Sequence, residues 1–219
     1  VNPITTTQNE DEVMSELTIT TFLSTDGVMQ APGGPTEDPR GGFAHGGWLV
    51  PFVDSVFGEF MDGVFRKPGA FLFGRTTYEI FAGHWPRIDP TKDLVSAKLN
   101  ALPKFVASRT LKRVDWKGSQ LLGSDVVAEI RKLKAKPGDE LQVHGSCGLA
   151  QTLIQHDLID EYRLLQFPCV LGSGLRLFNA GAMPGALKLV DSKVTTTGVV
   201  ISTYRRAGEL KTGSFQLDP

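Results

Sequence analysis

The 219 residues carry 23 lysines and arginines against 24 aspartates and glutamates, a net charge of −1, so no basic surplus marks the chain for nucleic acid or an anionic membrane surface. At 41% hydrophobic and 21% charged residues it belongs with chains that fold, away from the polar, highly charged class that stays disordered. Cys147 and Cys169 are too few for a disulfide framework, no run approaches the roughly 20 apolar residues of a membrane helix, and the polar, acidic start lacks a secretory signal, which together predict a cytoplasmic protein.

Residues 1–14 are polar and are read as a flexible arm, with one domain over 15–207 and a tail over 208–219. Leu17 to Ser24 alternates as a strand, which Thr25-Asp26-Gly27 turns. Residues 31–47 are rich in Gly and Pro, and a loop of that length is read as a lid or rim. From Val50 to Phe65, Phe52, Val53, Val56, Phe57, Phe60 and Met61 recur at three- and four-residue intervals, the stripe of one helix on a core. Asp54 and Glu59 lie off that stripe.

Ala70–Phe73 reads as a buried strand that passes through Gly74 into a short helix. Lys104–Ala107 repeats the strand and runs into Ser108-Arg109-Thr110, and Val114–Trp116 reads as a further edge segment. Ser124-Asp125 caps a helix with Val126, Val127, Ile130 and Leu133 on one face, and Pro137-Gly138 stops it. Leu141–His144 is a strand, followed by a small-residue turn and a helix over 149–156. Strands at Glu161–Phe167, Leu187–Asp191 and Val199–Arg205 close the chain. Alternating strands and helices with hairpin-like strands at the end predict a three-layer α/β/α fold on a mixed, mostly parallel sheet with antiparallel C-terminal strands.

Such sheets bind ligands at the carboxyl ends of their strands, where helix N-termini present unpaired N–H groups. Three turns have that character. Gly74-Arg75-Thr76-Thr77 offers close backbone approach, a guanidinium and two hydroxyls. Ser108-Arg109-Thr110 flanks a guanidinium with hydroxyls, a grip for a phosphate monoester. Gly145-Ser146-Cys147-Gly148, leading to Leu149, brings small residues onto a helix start, as a pyrophosphate requires. Each alone also reads as an ordinary capped helix or polar loop; together they describe a ligand with phosphates at separated points, which a dinucleotide satisfies.

Gly74-Arg75-Thr76-Thr77-Tyr78-Glu79, Leu141 to Ser146, Leu158-Ile159-Asp160-Glu161 and Pro168 to Gly174, in this order, resemble the dihydrofolate-reductase-like family, and within it the branch of the riboflavin-biosynthesis reductase domain. The resemblance runs from about Leu17 to about Arg205. It implies a stand-alone reductase using NADPH on a small-molecule substrate, and a homodimer formed through the terminal strands. It assigns Gly74, Arg75, Thr76 and Thr77 to the cofactor phosphates, Ser108 and Arg109 to the 2′-phosphate ribose, and Gly145, Ser146, Gly148 and Leu149 to the pyrophosphate. Asp26 and Gly27 match the segment near the nicotinamide. The long glycine-rich insert departs from compact folate reductases and implies a rebuilt substrate pocket, and no zinc-deaminase motif accompanies the reductase.

Hydride transfer needs positioning in a dry pocket and one nearby proton. Asp54 and Glu59 are the candidate proton relays, since a carboxyl beside Phe52, Phe57 and Phe60 would have its acid form favoured; a solvated acid on an outer helix face is the alternative for both. His45 and Trp48 are candidate substrate contacts, with an exposed loop histidine and a packed tryptophan as the alternatives. The scattered histidines and cysteines give no metal-ligand spacing, and Cys147 is read as a small turn residue rather than a nucleophile. Two further readings stand beside the NADPH reductase: a non-catalytic nucleotide-binding module, and a folate reductase proper with a carboxylate facing the ring.

Overall fold

The computed structural model describes residues 14–216, so the expected arm falls almost wholly outside the described residues. At its inner end Met14 bridges to Pro137 and the Ser15 N–H donates to the Lys136 carbonyl. The chain is therefore engaged with the domain three residues before the first strand.

Eight strands form one sheet in the order β4-β3-β2-β5-β1-β6-β8-β7. They are β1 (Leu17–Ser24), β2 (Pro68–Gly74), β3 (Lys104–Ala107), β4 (Ser119–Leu121), β5 (Glu140–His144), β6 (Glu161–Phe167), β7 (Leu187–Val194) and β8 (Val200–Arg206). β4 through β6 in sheet order are parallel, whereas β8 runs antiparallel to β6 and β7 antiparallel to β8. The mixed α/β sheet agrees with the expectation. The edge strand does not: it is Ser119–Leu121, and Val114–Trp116 is irregular, because Trp116 is buried as a side chain and its N–H donates to the Tyr78 hydroxyl at 3.1 Å rather than to a ladder.

Five α-helices pack on the sheet: α1 (Ser55–Phe65), α2 (Arg75–His84), α3 (Leu94–Ala101), α4 (Val126–Lys134) and α5 (Cys147–Gln155). The stripe over 50–65 is divided. A 3-10 turn occupies Val50–Phe52, where Pro51 cannot donate a helical hydrogen bond, and α1 starts afresh after Asp54. Helix α3 has no counterpart in the sequence reading; its apolar residues Leu94, Val95 and Leu99 make too weak a stripe.

Strand alternation divides the core between two faces. Ile19, Leu72 and Val143 pack with Ile130 of α4 and Leu153 of α5, while Phe71, Phe73 and Val106 pack with Phe65 of α1 and Leu99 of α3. At the amino ends of the strands a closed ionic network sits under the sheet: Arg163, 4% exposed, bridges Glu140 at 2.6 Å and Glu161 at 2.7 Å. Lys104 is also buried there, its Nζ donating to the Leu99 and Leu102 carbonyls at 2.7 Å each and lying 4.7 Å from the Trp116 ring centre. Desolvation pushes that ammonium down to about 8. The carboxyl ends of the strands, by contrast, are open.

Candidate functional site

A cleft of about 1380 Å³ lies across the carboxyl ends of the parallel strands. All three predicted turns line it: Gly74 to Thr77 after β2, Ser108 to Thr110 after β3, and Gly145 to Leu149 after β5. The turns are also bonded to one another. Ser146, held at φ 64°, accepts the Gly74 N–H on its Oγ at 2.9 Å, and Arg75 Nη1 donates to Thr110 Oγ1 at 3.2 Å. Gly74 lines the cleft as expected, but its N–H is spent on Ser146 and joins the two turns.

The first amides of α2 and α5 are the distinctive feature of the cleft. The first turn of an α-helix leaves N–H groups without intrahelical partners and carries partial positive charge. Neither α2 nor α5 has a side-chain hydrogen bond at its N-cap. Both helix starts face the cleft, with Thr76 and Thr77 hydroxyls on one and Gly148, exposed and with open space around it, on the other. Arg109 lies exposed on the rim. Ser108 serves as a turn acceptor, its Oγ taking the Thr110 and Leu111 N–H groups at 3.2 and 3.0 Å.

Other candidates lie elsewhere. Asp26 does not line the cleft; it clasps the loop after β6, accepting the Leu171 and Gly172 N–H groups at 3.1 and 2.9 Å and the Ser24 hydroxyl at 2.7 Å. The Ser24 hydroxyl foremost, with those amides, lowers its carboxyl to about 2. Gly27, at φ 82°, completes that turn. Asp54 is the N-cap of α1, accepting from Phe57 N at 2.8 Å on one oxygen and from Thr196 N and Oγ1 at 2.8 and 2.7 Å on the other. The Phe57 amide and Thr196 hold its carboxyl below the usual range, opposite to the shift a proton donor beside aromatic rings requires.

Glu59 is exposed on α1, and neither predicted acid is part of the cleft lining. Trp48 is a core residue: Nε1 donates to the Gln30 carbonyl at 2.8 Å and the indole meets the Phe167 ring edge-on at 5.3 Å. His45 is exposed and packs edge-on against Phe43 at 5.8 Å. Burial raises the Cys147 thiol, in keeping with an inert turn residue.

Three acids line the cleft: Asp125, engaged as the α4 cap, and Glu37 and Asp38 in the glycine-rich loop. Glu37 Oε2 accepts the Gly33 and Gly34 N–H groups at 2.6 and 3.1 Å, yet burial outweighs both and pushes the carboxyl above its ordinary range. Its neighbour Asp38 is neutralised by Arg40, whose Nε and Nη2 donate to the two carboxylate oxygens at 2.7 and 2.5 Å. Gln30 Nε2 ties this segment down through the Asp38 and Arg40 carbonyls.

His144 and Thr20 also line the cleft, side by side on β5 and β1. Gln142 spends its amide hydrogens on the Val64 carbonyl and Glu140, so its Oε1 accepts from His144 Nε2 at 3.0 Å and leaves Nδ1 as an acceptor. Burial keeps that imidazole neutral, its pKa pushed down to about 3. Thr20 Oγ1 is buried and has no hydrogen-bond partner among the described residues. An acid pair in the middle of a glycine-rich loop was the sequence signal for Glu37; Thr20 and His144 read as ordinary strand residues. Among the described residues no cluster of three or more His, Cys, Asp or Glu is placed to hold a metal, and no helix is long and apolar enough to cross a membrane.

Residues 15–201 match the RibD C-terminal domain family. The uncharacterized protein YyaP of Bacillus subtilis (strain 168) is 29% identical over 163 residues, 74% of this chain and 84% of YyaP. Among solved structures, a protein of Shewanella sp. PV-4 assigned to riboflavin biosynthesis superposes with a TM-score of 0.62 at 22% identity, covering 88% of this chain and 99% of that one. Dihydrofolate reductase from Enterococcus faecalis in complex with NADP(H) gives 0.57 at 14% identity, covering 87% and 96%. The diaminohydroxyphosphoribosylaminopyrimidine deaminase/5-amino-6-(5-phosphoribosylamino)uracil reductase of Thermotoga maritima gives 0.57 at 13%, covering 89% of this chain and 57% of that one. At these identities the structural likenesses establish a shared dihydrofolate-reductase-like fold.

Proposed function

The chain belongs to the RibD C-terminal domain family, and on that premise we propose that it is an NADPH-dependent reductase transferring a hydride to a small heterocyclic or carbonyl-bearing metabolite. The observation that carries this reading is the convergence of two uncapped helix starts, α2 and α5, on one cleft with Arg75 and Arg109. That arrangement fits a ligand with a pyrophosphate and a third, separate phosphate. The complex of the Enterococcus faecalis reductase with NADP(H), on the same fold, supports the choice of nicotinamide cofactor.

Bound there, NADPH supplies the hydride. The chain's own residues hold it and deliver the proton: first-turn amides of α2 and α5 receive the pyrophosphate, Arg109 and Arg75 the 2′-phosphate, and Glu37 acts as the acid. Glu37 suits that role because desolvation favours its protonated form and Oε2 is fixed by two amides. Titration of the protein with NADPH and NADH, followed by nicotinamide fluorescence and thermal stability, tests the reading. Micromolar binding selective for NADPH is expected, and Glu37→Gln should leave that binding intact while lowering substrate-dependent oxidation. Binding without turnover on any substrate would favour the nucleotide-binding module; binding of neither cofactor would end the reading.

The proposal extends to a homodimer. Strand β7 forms the sheet edge, every residue of it is exposed, and Leu189, Val190 and Val194 are 51 to 64% exposed. Edge strands of this kind are templates for pairing, and a twofold axis would let β7 cover its own copy. Sedimentation as a dimer is expected, and a monomer at micromolar concentration would remove this part.

A further inference from the structure

The cleft continues past the phosphate turns into a hollow against α1. Phe57, Met61 and Phe65 line it from one face of that helix, spaced four residues apart, and Phe81 and Trp85 line it from the end of α2 and the following 3-10 turn. Phe22 of β1 completes it, 5.7 Å from the Phe57 ring. These side chains offer ring faces and a thioether, surfaces that a flat apolar molecule covers well.

Charge is arranged in the same sense. The lining of this end contains no lysine or arginine apart from Arg40, and Arg40 is forked by Asp38. An anionic ligand placed against α1 would lose its water without gaining a cation in return. The polar provision is of another kind. Strand alternation puts Thr20 and His144 on the α1 face, where His144 stacks on Phe65 at 4.6 Å, and Thr20 Oγ1 is a buried hydroxyl without a partner among the described residues. A hydroxyl donor of this sort is satisfied by a carbonyl oxygen on the ligand.

We propose that the α1 side of the cleft receives an uncharged, flat ring compound bearing a conjugated carbonyl, with its ring among Phe22, Phe57, Met61, Phe65 and Trp85 and its oxygen toward Thr20. The substrate class is therefore neither phosphorylated nor carboxylated. This rests on the reductase reading, which identifies the phosphate turns with the cofactor and leaves the hollow to the substrate.

Calorimetric titration of the full chain with coumarin and with coumarin-3-carboxylate, in the presence and absence of saturating NADP+, tests it. Uridine 5′-monophosphate serves as the phosphorylated heterocycle. Coumarin is expected to bind at least about tenfold tighter than either anion. Phe57→Ala should weaken coumarin about tenfold and leave NADP+ binding unchanged, and Met61→Lys should reverse the preference toward coumarin-3-carboxylate. Equal or tighter binding of either anion to the wild-type protein, or no binding of coumarin, overturns the proposal. NADP+ binding with no coumarin preference would refute the substrate class alone, whereas a coumarin preference without NADP+ binding would refute the reductase reading alone. Should Met61→Lys fail to fold, the Phe57→Ala comparison still decides.

Discussion

Helices α1, α3 and α4 start on aspartates whose Oδ1 atoms accept the N–H of the residue three positions on, Phe57 at 2.8 Å, Ser96 at 2.5 Å and Ala128 at 3.0 Å. Helices α2 and α5 start on Gly74 and Ser146, and no side chain bonds their first amides. An aspartate cap is worth about 1 kcal/mol, so the two open helices forgo a stabilisation that the same chain uses three times. The open pair lines the cleft beside Arg75 and Arg109, and α4 lines it too but with its start closed by Asp125. Local stability is set aside at the two open helix starts, the pattern expected of a binding site.

The strongest way to break that comparison is to supply the missing acid. Gly148, in the first turn of α5, has no atom within 4 Å of where a Cβ would stand. Gly148→Asp should raise the stability of the ligand-free protein by about 1 kcal/mol, from lost backbone freedom in the unfolded chain and a favourable helix dipole. It should weaken NADPH by about 100-fold through repulsion of the pyrophosphate. Thermal melts and fluorescence titration read the opposite signs; a variant that binds NADPH normally would detach α5 from the cofactor.

Next in size is the division of labour among the phosphates. Arg109 lies on the rim and is expected to pair with the 2′-phosphate alone. Arg109→Ala should weaken NADPH about 30-fold, the size of one or two charge-assisted hydrogen bonds, while NADH changes less than twofold. Equal losses for both cofactors would move Arg109 to the shared pyrophosphate.

The same comparison explains how much could be read from sequence. Most strands were legible, because turn-bounded apolar runs such as Ala70–Phe73 and Leu141–His144 have few other ways to bury themselves. The three turns that line the cleft were legible for a related reason: glycine and hydroxyl residues at strand-to-helix junctions are local features. What failed depended on tertiary contacts. Asp26 matches the family segment near the nicotinamide, but its oxygens are taken by Leu171 and Gly172, more than 140 residues on. The aromatic neighbours of Asp54 suggest an acid's role, whereas Thr196 reaches it from the β7–β8 turn and makes it a clasp as well as a cap. Glu37 gains its raised carboxyl only once the loop folds over it, and Thr20 becomes an orphan only once β1 is central in the sheet.

The smallest expected effect comes from a cap that has no ligand to serve. Asp93 starts α3 and does not itself line the cleft, and its Oδ1 holds the Ser96 N–H at 2.5 Å. Asp93→Ala should lower stability by about 1 kcal/mol and the melting temperature by about 2–4 °C. NADPH affinity should stay within twofold of the wild type, since neither Asp93 nor the Ser96 that it caps lines the cleft. The contrast with Gly148→Asp is then complete in sign: removing an acid from one helix start costs stability and spares binding, and adding one to another gains stability and costs binding. If Asp93→Ala weakened NADPH as much as it lowered stability, binding would track global stability, and the open starts of α2 and α5 would lose their meaning as a ligand's place.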